Sequence, residues 1–284
     1  MSSTMYEQRI NTVLDFIEEH LNTKLTLQTL SSTGNLSKYH FHRVFKAVTG
    51  ETVHDYIKRT KMEKVNRALV LHRTKTLTDI AFDMGYNSSA NFSRDVSLYF
   101  EKSLSQIRNN INPQPSALQH ELKSSIRFKG IEKLSDKRIL YTRIHNGYKP
   151  DTIRETFASL CTWAMDLFKY RIGEQLIGIG YDDPDFTPLH KCRYDACLVI
   201  SSELNVGNIE PYNVKTIKGG TYAVFLFEGI GDDIYDAWEV IFKEWVIHSD
   251  YLPANRPHLE LYLPSPLYKE NKYKVELCLP VIHT

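Results

Sequence analysis

Two sets of side chains in this chain have the types and spacing to do chemistry. The first lies between Ser37 and Thr49. Projected at 100° per residue, Phe41, Val44, Phe45 and Val48 fall on one side of a helix and Tyr39, His42, Arg43 and Lys46 on the other. An exposed face with one aromatic, one imidazole and two cations suits the DNA major groove, where Arg reads guanine edges and Lys meets phosphate. The second set surrounds Glu260 in His258-Leu-Glu-Leu-Tyr-Leu263, where alternation puts His258, Glu260 and Tyr262 on one face of a strand. A carboxylate among aromatics favours cationic ligands through charge and π-face attraction.

The elements that must position the first set read as helix, turn, helix over Leu27 to Val48. Gly34 is expected to supply the left-handed turn residue and Ser37 to cap the second helix. Gly34, Ser37, Phe41 and Arg43 recur as Gly85, Ser88, Phe92 and Arg94 at one offset, which indicates a duplicated unit. In the second copy Thr78 to Met84 form the first helix, and Ser88 or Ser89 caps a helix running to Phe100. Phe92, Val96, Tyr99 and Phe100 are its buried side, while Ser89, Ala90, Ser93 and Arg94 are the expected DNA-facing residues. Between the copies, Val53 to His72 forms a long helix that can hold the two recognition helices at one separation. Successive major grooves on one side of a duplex are about 34 Å apart, so one chain could read both. His40 and His42 lack the spacing of three or four that metal ligation on one helical face requires, so packing is expected for His40 and DNA for His42.

The second half also repeats itself: Gly147 and Trp163 recur as Gly229 and Trp245, and Tyr141 and Cys197 are echoed by Tyr222 and Cys278. Each repeat reads strand, helix, strand, strand. The first has strands near 139–145, 176–181 and 194–200 around a helix at 152–170; the second has strands near 222–227, 258–263 and 273–279 around a helix at 232–248. The three leucines of 258–263 are expected to face the helices and Glu260 the opposite side. Gly178 and Gly180 occupy the matching strand of the first repeat, where the lack of side chains leaves room. The expectation is a cleft between repeats, roomy at Gly178 and Gly180, carrying Glu260 and Tyr262, with Trp163, Tyr181, Tyr194 and Tyr222 as candidate walls. A solvated strand glutamate is the alternative.

Length and composition bound these readings. At 284 residues, with 42% hydrophobic and 24% charged residues, the chain suits two soluble domains. The Pro-rich stretch Asn112-Pro-Gln-Pro-Ser116 breaks helix and strand alike, so the expected division is 1–111 for DNA, 112–122 as linker and 123–284 for an effector. Residues 1–112 carry 15 Lys and Arg against 11 Asp and Glu, the remainder 20 against 23, an asymmetry that permits nucleic-acid contact in the first half. No apolar run could span a bilayer and no signal peptide opens the chain, so a cytoplasmic protein without a membrane partner is expected. The four cysteines have no zinc-site spacing and are expected to be buried and reduced. No metal site, phosphate loop or nucleophile triad is visible, so neither cofactor nor enzymatic activity is expected. Nothing sets the oligomeric state.

Residues 6 to 111 resemble the AraC/XylS family of transcription activators, chiefly through Leu36-Ser-Lys-Tyr-His-Phe-His-Arg-Val-Phe-Lys46, Thr49-Gly50, Tyr56-Ile57, Asp79-Ile-Ala-Phe-Asp-Met-Gly-Tyr86 and Asn91-Phe-Ser-Arg94. The resemblance implies an all-α domain of two helix-turn-helix units that binds double-stranded promoter DNA and contacts RNA polymerase. The chain departs from the family at Asp95-Val96, and at Glu101 and Leu104, where the family carries Gly and Pro. Residues 123 to 282 are similar to the gyrase-inhibitory-protein-like domain of multidrug-binding regulators, through Gly178-Ile-Gly-Tyr-Asp-Asp-Pro184, Arg193-Tyr-Asp-Ala-Cys197, Gly219-Gly-Thr-Tyr-Ala-Val224 and Leu259-Glu-Leu-Tyr262. That similarity implies a duplicated α+β fold with its ligand-binding glutamate at Glu260. The combined expectation is a transcription regulator, with activation as its sign, that answers to a small amphipathic effector, a cation being favoured by Glu260. The alternatives are a rear domain that hydrolyses a reactive small molecule, and a DNA-binding protein without a ligand switch.

Overall fold

This computed structural model describes residues 3–71, 75–109, 125–168, 175–184, 187–201, 204, 209–254, 256–264 and 272–283. The expected linker, 112–122, lies outside the described residues, as do His72 and Tyr170 at the expected ends of two helices. The chain divides into two compact units. One is Met1–Asn112 with Asp182–Lys191; the other is Pro113–Tyr181 with Cys192–Thr284.

Helices are the regular secondary structure of the first unit among its described residues. Its elements are α1 (Ser3–His20), α2 (Leu27–Thr33), α3 (Lys38–Thr49), α4 (Val53–Leu71), α5 (Leu77–Asp83), α6 (Ser89–Phe100) and α7 (Leu104–Asn109), with one 3-10 turn at Leu189–Lys191. Each short helix starts where a hydroxyl satisfies a free N–H: Thr26 caps α2, Ser37 α3, Thr76 α5 and Ser88 α6. Two apolar cores result. Ile10, Val13, Leu14, Ile17, Leu30, Phe41, Phe45 and Tyr56 form the first, and Met62, Val65, Leu69, Ile80, Phe92, Val96 and Ile107 the second. Helix α4 gives Tyr56 to one core and Met62, Val65 and Leu69 to the other, so both helix-turn-helix units are built on a single rigid spacer.

The two turns are not built alike. Gly34 has φ −80° and is not left-handed; Asn35, at φ 49°, takes that conformation instead. A Cβ at Gly34 would sit 3.0 Å from Val13 Cγ2, so a larger residue there would press on the Val13 side chain. In the second copy Gly85 itself is left-handed, at φ 72°. Thr26 and Thr76 are equivalent caps fifty residues apart, whereas Ser37 and Ser88 are one residue further apart, so the second turn is longer by one residue. Helix α3 ends on Gly50 at φ 75°, and α6 ends on Glu101 at φ 53°, the family's glycine position held by a residue with a Cβ.

The second unit is α+β. In chain order it runs β1 (Ile126–Leu134), β2 (Lys137–Ile144), α8 (Pro150–Phe168), β3 (Leu176–Gly180), β4 (Tyr194–Val199), β5 (Asn213–Ile217), β6 (Gly220–Ile230), α9 (Ile234–Val240), β7 (Tyr251–Pro253), β8 (His258–Leu263) and β9 (Lys272–His283). Helix α9 continues into a π-helical stretch, Ile241–Val246. The two strand-helix-strand-strand repeats are present, and each is preceded by a further strand, β1 or β5. Strand order is β1-β6-β9-β8-β3-β4-β2-β5, with β7 added beside β9. The repeats therefore meet at β8 and β3, and each leading strand pairs with the other repeat, β1 with β6 and β5 with β2.

Both faces of this sheet are covered. Leu140 and Leu198 pack under Leu160 and Ala164 of α8. On the other face Ile139, Tyr141, Ile177, Ile179, Tyr222, Val224, Leu259, Leu261 and Cys278 form one continuous core drawn from nearly every strand. Strands β1 and β2 stand near opposite ends of the order, yet only Ser135 and Asp136 connect them, so the sheet must curl until its ends meet. Gly219 N–H donates to Asp136 Oδ1 at 2.8 Å across that closure. The second face is thus the inside of the curl. Leu259 and Leu261 point into it rather than at the helices, and Glu260 lies on the helix-covered outer face, which reverses the expectation from alternation. All four cysteines are free thiols, Cys161 partly exposed and the others buried.

Candidate functional site

In the first unit the exposed side of α3 carries Tyr39, His42, Arg43 and Lys46, while Phe41 and Phe45 are fully buried. Tyr39 is 71% exposed, unusual for a large ring on a helix that is otherwise well packed. His40 is also exposed and does not pack in the core as expected; its backbone N–H bonds the Ser37 cap instead. On α6, Ser89, Ala90 and Arg94 are exposed and Ser93 is half-buried. The Arg94 guanidinium is shared with its neighbour, Nε lying 3.7 Å from Asp95 Oδ1. Asp95 also acts on Lys61 of α4, whose ammonium lies 4.2 Å from the Tyr86 ring centre. Burial pushes the Tyr86 hydroxyl up to about 12, and the Asp95 charge adds to that. Helix α3 thus presents long cationic side chains to solvent, whereas α6 presents small ones and one partly neutralised arginine.

In the second unit β8 and β3 bring Glu260 directly opposite Gly178, and His258 opposite Gly180. Glu260 is 5% exposed. Tyr194 Oη donates to its Oε2 at 2.6 Å, Tyr262 Oη to the same oxygen at 3.0 Å, and Trp238 Nε1 to Oε1 at 3.2 Å. Burial raises the carboxyl above its usual range, opposed by these three donors, and no cationic side chain contributes among the described residues. The Tyr194 and Tyr262 hydroxyls are pushed well above their ordinary values, chiefly by burial and then by the Glu260 charge. Aromatic rings close the surroundings: Phe157 of α8 packs edge-on against Tyr262 at 5.3 Å between centroids, and Trp238 of α9 lies 4.3 Å from His258.

The glycines have a different part from the one expected. A Cβ at Gly178 would lie 1.8 Å from Tyr194 Oη, and one at Gly180 would lie 2.8 Å from His258 Nε2. The space over β3 is therefore filled by the Tyr194 phenol and the His258 ring, and Gly178 is what lets Tyr194 reach across to Glu260. Of the residues singled out for the ligand, Glu260, Tyr262, Gly178 and Gly180 come together. Trp163 packs on Tyr212 in the core under α8, and Tyr222 lies in the inner core. Tyr181 donates to Asp195 Oδ2 at 2.7 Å. There Arg143 and Lys215 outweigh burial and hold the Asp195 carboxyl far below the usual range. Tyr194, a candidate wall, is instead a direct hydrogen-bond partner of Glu260, and Trp238 is a partner that the sequence does not point to. The contact of Tyr194 with Glu260 depends on the β3–β4 register, which pairs Tyr194 with Gly180, and that of Trp238 on the packing of α9.

Paired helix-turn-helix units and a duplicated sheet domain with a buried, cation-free carboxylate define a DNA-binding regulator that carries a small-molecule-binding domain. The GyrI-like small molecule binding domain family matches residues 130–282, and a helix-turn-helix domain family matches residues 30–110. The SPbeta prophage-derived protein YosT of Bacillus subtilis (strain 168) is 34% identical over 153 residues, covering 53% of this chain and 97% of YosT. Regulatory protein SoxS of Salmonella typhimurium is 30% identical over 107 residues, covering 37% of this chain and 98% of SoxS. A DNA gyrase inhibitor of Escherichia coli (strain K12) is 29% identical over 113 residues, covering 39% of this chain and 71% of the inhibitor. The chain belongs to the AraC-type helix-turn-helix regulators and carries a GyrI-like domain. Among the described residues no helix is long and apolar enough to cross a membrane.

Proposed function

We propose that this protein is a cytoplasmic transcription activator in which residues 1–111 read promoter DNA and residues 123–284 bind a small amphipathic cation at Glu260. Tyr39, His42, Arg43 and Lys46 supply base discrimination. Ser89, Ala90, Ser93 and Arg94 contribute backbone contacts and one arginine, and RNA polymerase is the protein partner. The observation that carries the ligand reading is a carboxylate at 5% exposure with three hydrogen-bond donors and no cationic partner among the described residues. A buried carboxylate without a counter-charge is costly, and a lipophilic cation supplies that charge without the hydration shell of Lys. The match of residues 130–282 to a small molecule binding domain family supports a binding role over a catalytic one.

The test is a fluorescence titration with tetraphenylphosphonium, with Trp238, a hydrogen-bond donor to Glu260, as reporter. Saturable binding, weakened at least about tenfold by Glu260→Gln, is expected for the loss of one desolvated charge contact. Equal affinity in the variant would remove Glu260 from the site.

A further inference from the structure

Residues 182–191 connect β3 to β4, yet they belong to the compact helical unit. Within that unit the Arg59 side chain of α4 organises a buried ion network. Arg59 Nη2 donates to Glu51 Oε1 at 2.7 Å, and Nη1 to Asp182 Oδ1 and to Thr187 Oγ1, both at 3.3 Å. Lys191 Nζ lies 3.4 Å from Glu51 Oε2, and Glu63 Oε2 lies 3.7 Å from Arg59 Nη1. Arg59, Glu51, Asp182 and Thr187 are all at least nine-tenths buried, Thr187 completely. Glu51 immediately follows Gly50, the C-cap of α3, so the network is fastened to the joint between the first recognition helix and the spacer α4.

The ends of the same segment arise at the Glu260 site. Gly180, whose strand neighbour is His258, lies two residues before Asp182; Tyr194, the shortest hydrogen bond to Glu260, lies three residues after Lys191. Tyr181 N–H bonds Arg193 O at 3.3 Å, which carries the β3–β4 pairing to the mouth of the segment. A ligand that takes Glu260 Oε2 must displace the Tyr194 hydroxyl at the first residue of β4.

We propose that Asp182, Thr187 and Lys191 form a latch that links occupancy of the Glu260 site to the α3–α4 joint, closed on Arg59 and Glu51 when Tyr194 holds Glu260 and released when it does not. The inference rests on the reading of Glu260 as the ligand site. Asp182 and Lys191 bring opposite charges to the network, so their departure leaves its net charge unchanged. Arg59 stays paired with Glu51 in the released state, so neither state strands a buried guanidinium. Two arrangements close in free energy are what a ligand with modest differential affinity can shift.

The test is amide hydrogen exchange on the full chain without ligand, comparing wild type, Tyr194→Phe, Asp182→Asn and the double variant. Losing the Tyr194 hydroxyl should speed exchange in residues 51–63 by about threefold or more, the signature of local opening. Asp182→Asn should do the same, and the double variant should match Asp182→Asn alone, because an opened latch has nothing left to transmit. Unchanged exchange in Tyr194→Phe, or effects that multiply in the double variant, would overturn the proposal. Thr187→Ala replaces Asp182→Asn if the latter does not fold. No cation enters the experiment, so a failed tetraphenylphosphonium titration counts against the ligand reading and not against the latch.

Discussion

Replacing Gly178 by alanine tests the construction of the Glu260 site without touching any polar atom. The added methyl would lie 1.8 Å from Tyr194 Oη, 2.6 Å from its Cζ and 2.7 Å from Glu260 Oε2. Tyr194 is buried in the sheet beneath α8 and cannot swing aside, so the phenol must leave Glu260 or the β3–β8 pair must part. Overpacking of a dense core costs about 1–3 kcal/mol, and loss of a hydrogen bond to a charged group about 1.5–3 kcal/mol. Together they give about 3–5 kcal/mol, a large share of a domain's stability. Urea unfolding followed by tryptophan fluorescence is a selective assay, because Trp163, Trp238 and Trp245 all lie in the second unit. In a Tyr194→Leu background, where the ring tip is gone, the same substitution should cost about 1 kcal/mol or less. A wild-type-like midpoint for Gly178→Ala, or an equal cost in both backgrounds, refutes the argument that Gly178 exists to admit Tyr194.

Cation affinity should depend on pH in one direction: below the raised value of the Glu260 carboxyl, binding must first expel a proton, so tetraphenylphosphonium affinity rises with pH through that value and levels off above it. Titrations from acid to neutral pH check this, and Glu260→Gln should abolish the slope. Glu101→Gly should stabilise the first unit by about 1 kcal/mol in far-ultraviolet thermal melts, since φ 53° is strained for a residue with a Cβ. On operator DNA, Arg43→Ala should cost about 1–3 kcal/mol with loss of preference at one base pair. Asp95→Asn should tighten binding to any duplex and steepen its salt dependence by freeing Arg94, as read in mobility shifts across a salt series.

The helical unit was legible because its signals are local. A 3.6-residue period separates Phe41 and Phe45 from Tyr39, His42 and Arg43 without knowledge of any partner, and hydroxyl caps mark the helix starts. The turn was misread where two residue types can do one job: Asn35 takes the left-handed conformation that Gly34 was expected to take, so equal sequence offsets concealed turns of unequal length. In the sheet, alternation correctly grouped His258, Glu260 and Tyr262. It could not tell which group met the helices, because both faces are buried and the curl that buries the second one depends on pairing between β1, β6 and their distant neighbours. For the same reason Tyr181 and Tyr222 read as site residues although they face inward.

The duplication explains why the carboxylate stands where it does. Glu260 and Gly178 hold equivalent places in the two repeats, and antiparallel pairing of β8 with β3 sets them face to face at the junction. Identical residues would fail there. Two glutamates at that separation, buried, could not both ionise, and two glycines would leave a void with nothing to hold a ligand. Only divergence of the copies gives one acid and the clearance for a hydroxyl to reach it. The same asymmetry runs along the sheet, where Tyr194 crosses Gly178 to donate to Glu260, while its counterpart in the other repeat, Val275, contributes only to packing. A site of this kind is built from the difference between two halves that are otherwise alike. Transplanting both identities, as Gly178→Glu with Glu260→Gly, should therefore fail to move it, because no tyrosine stands at position 275 to meet the relocated acid.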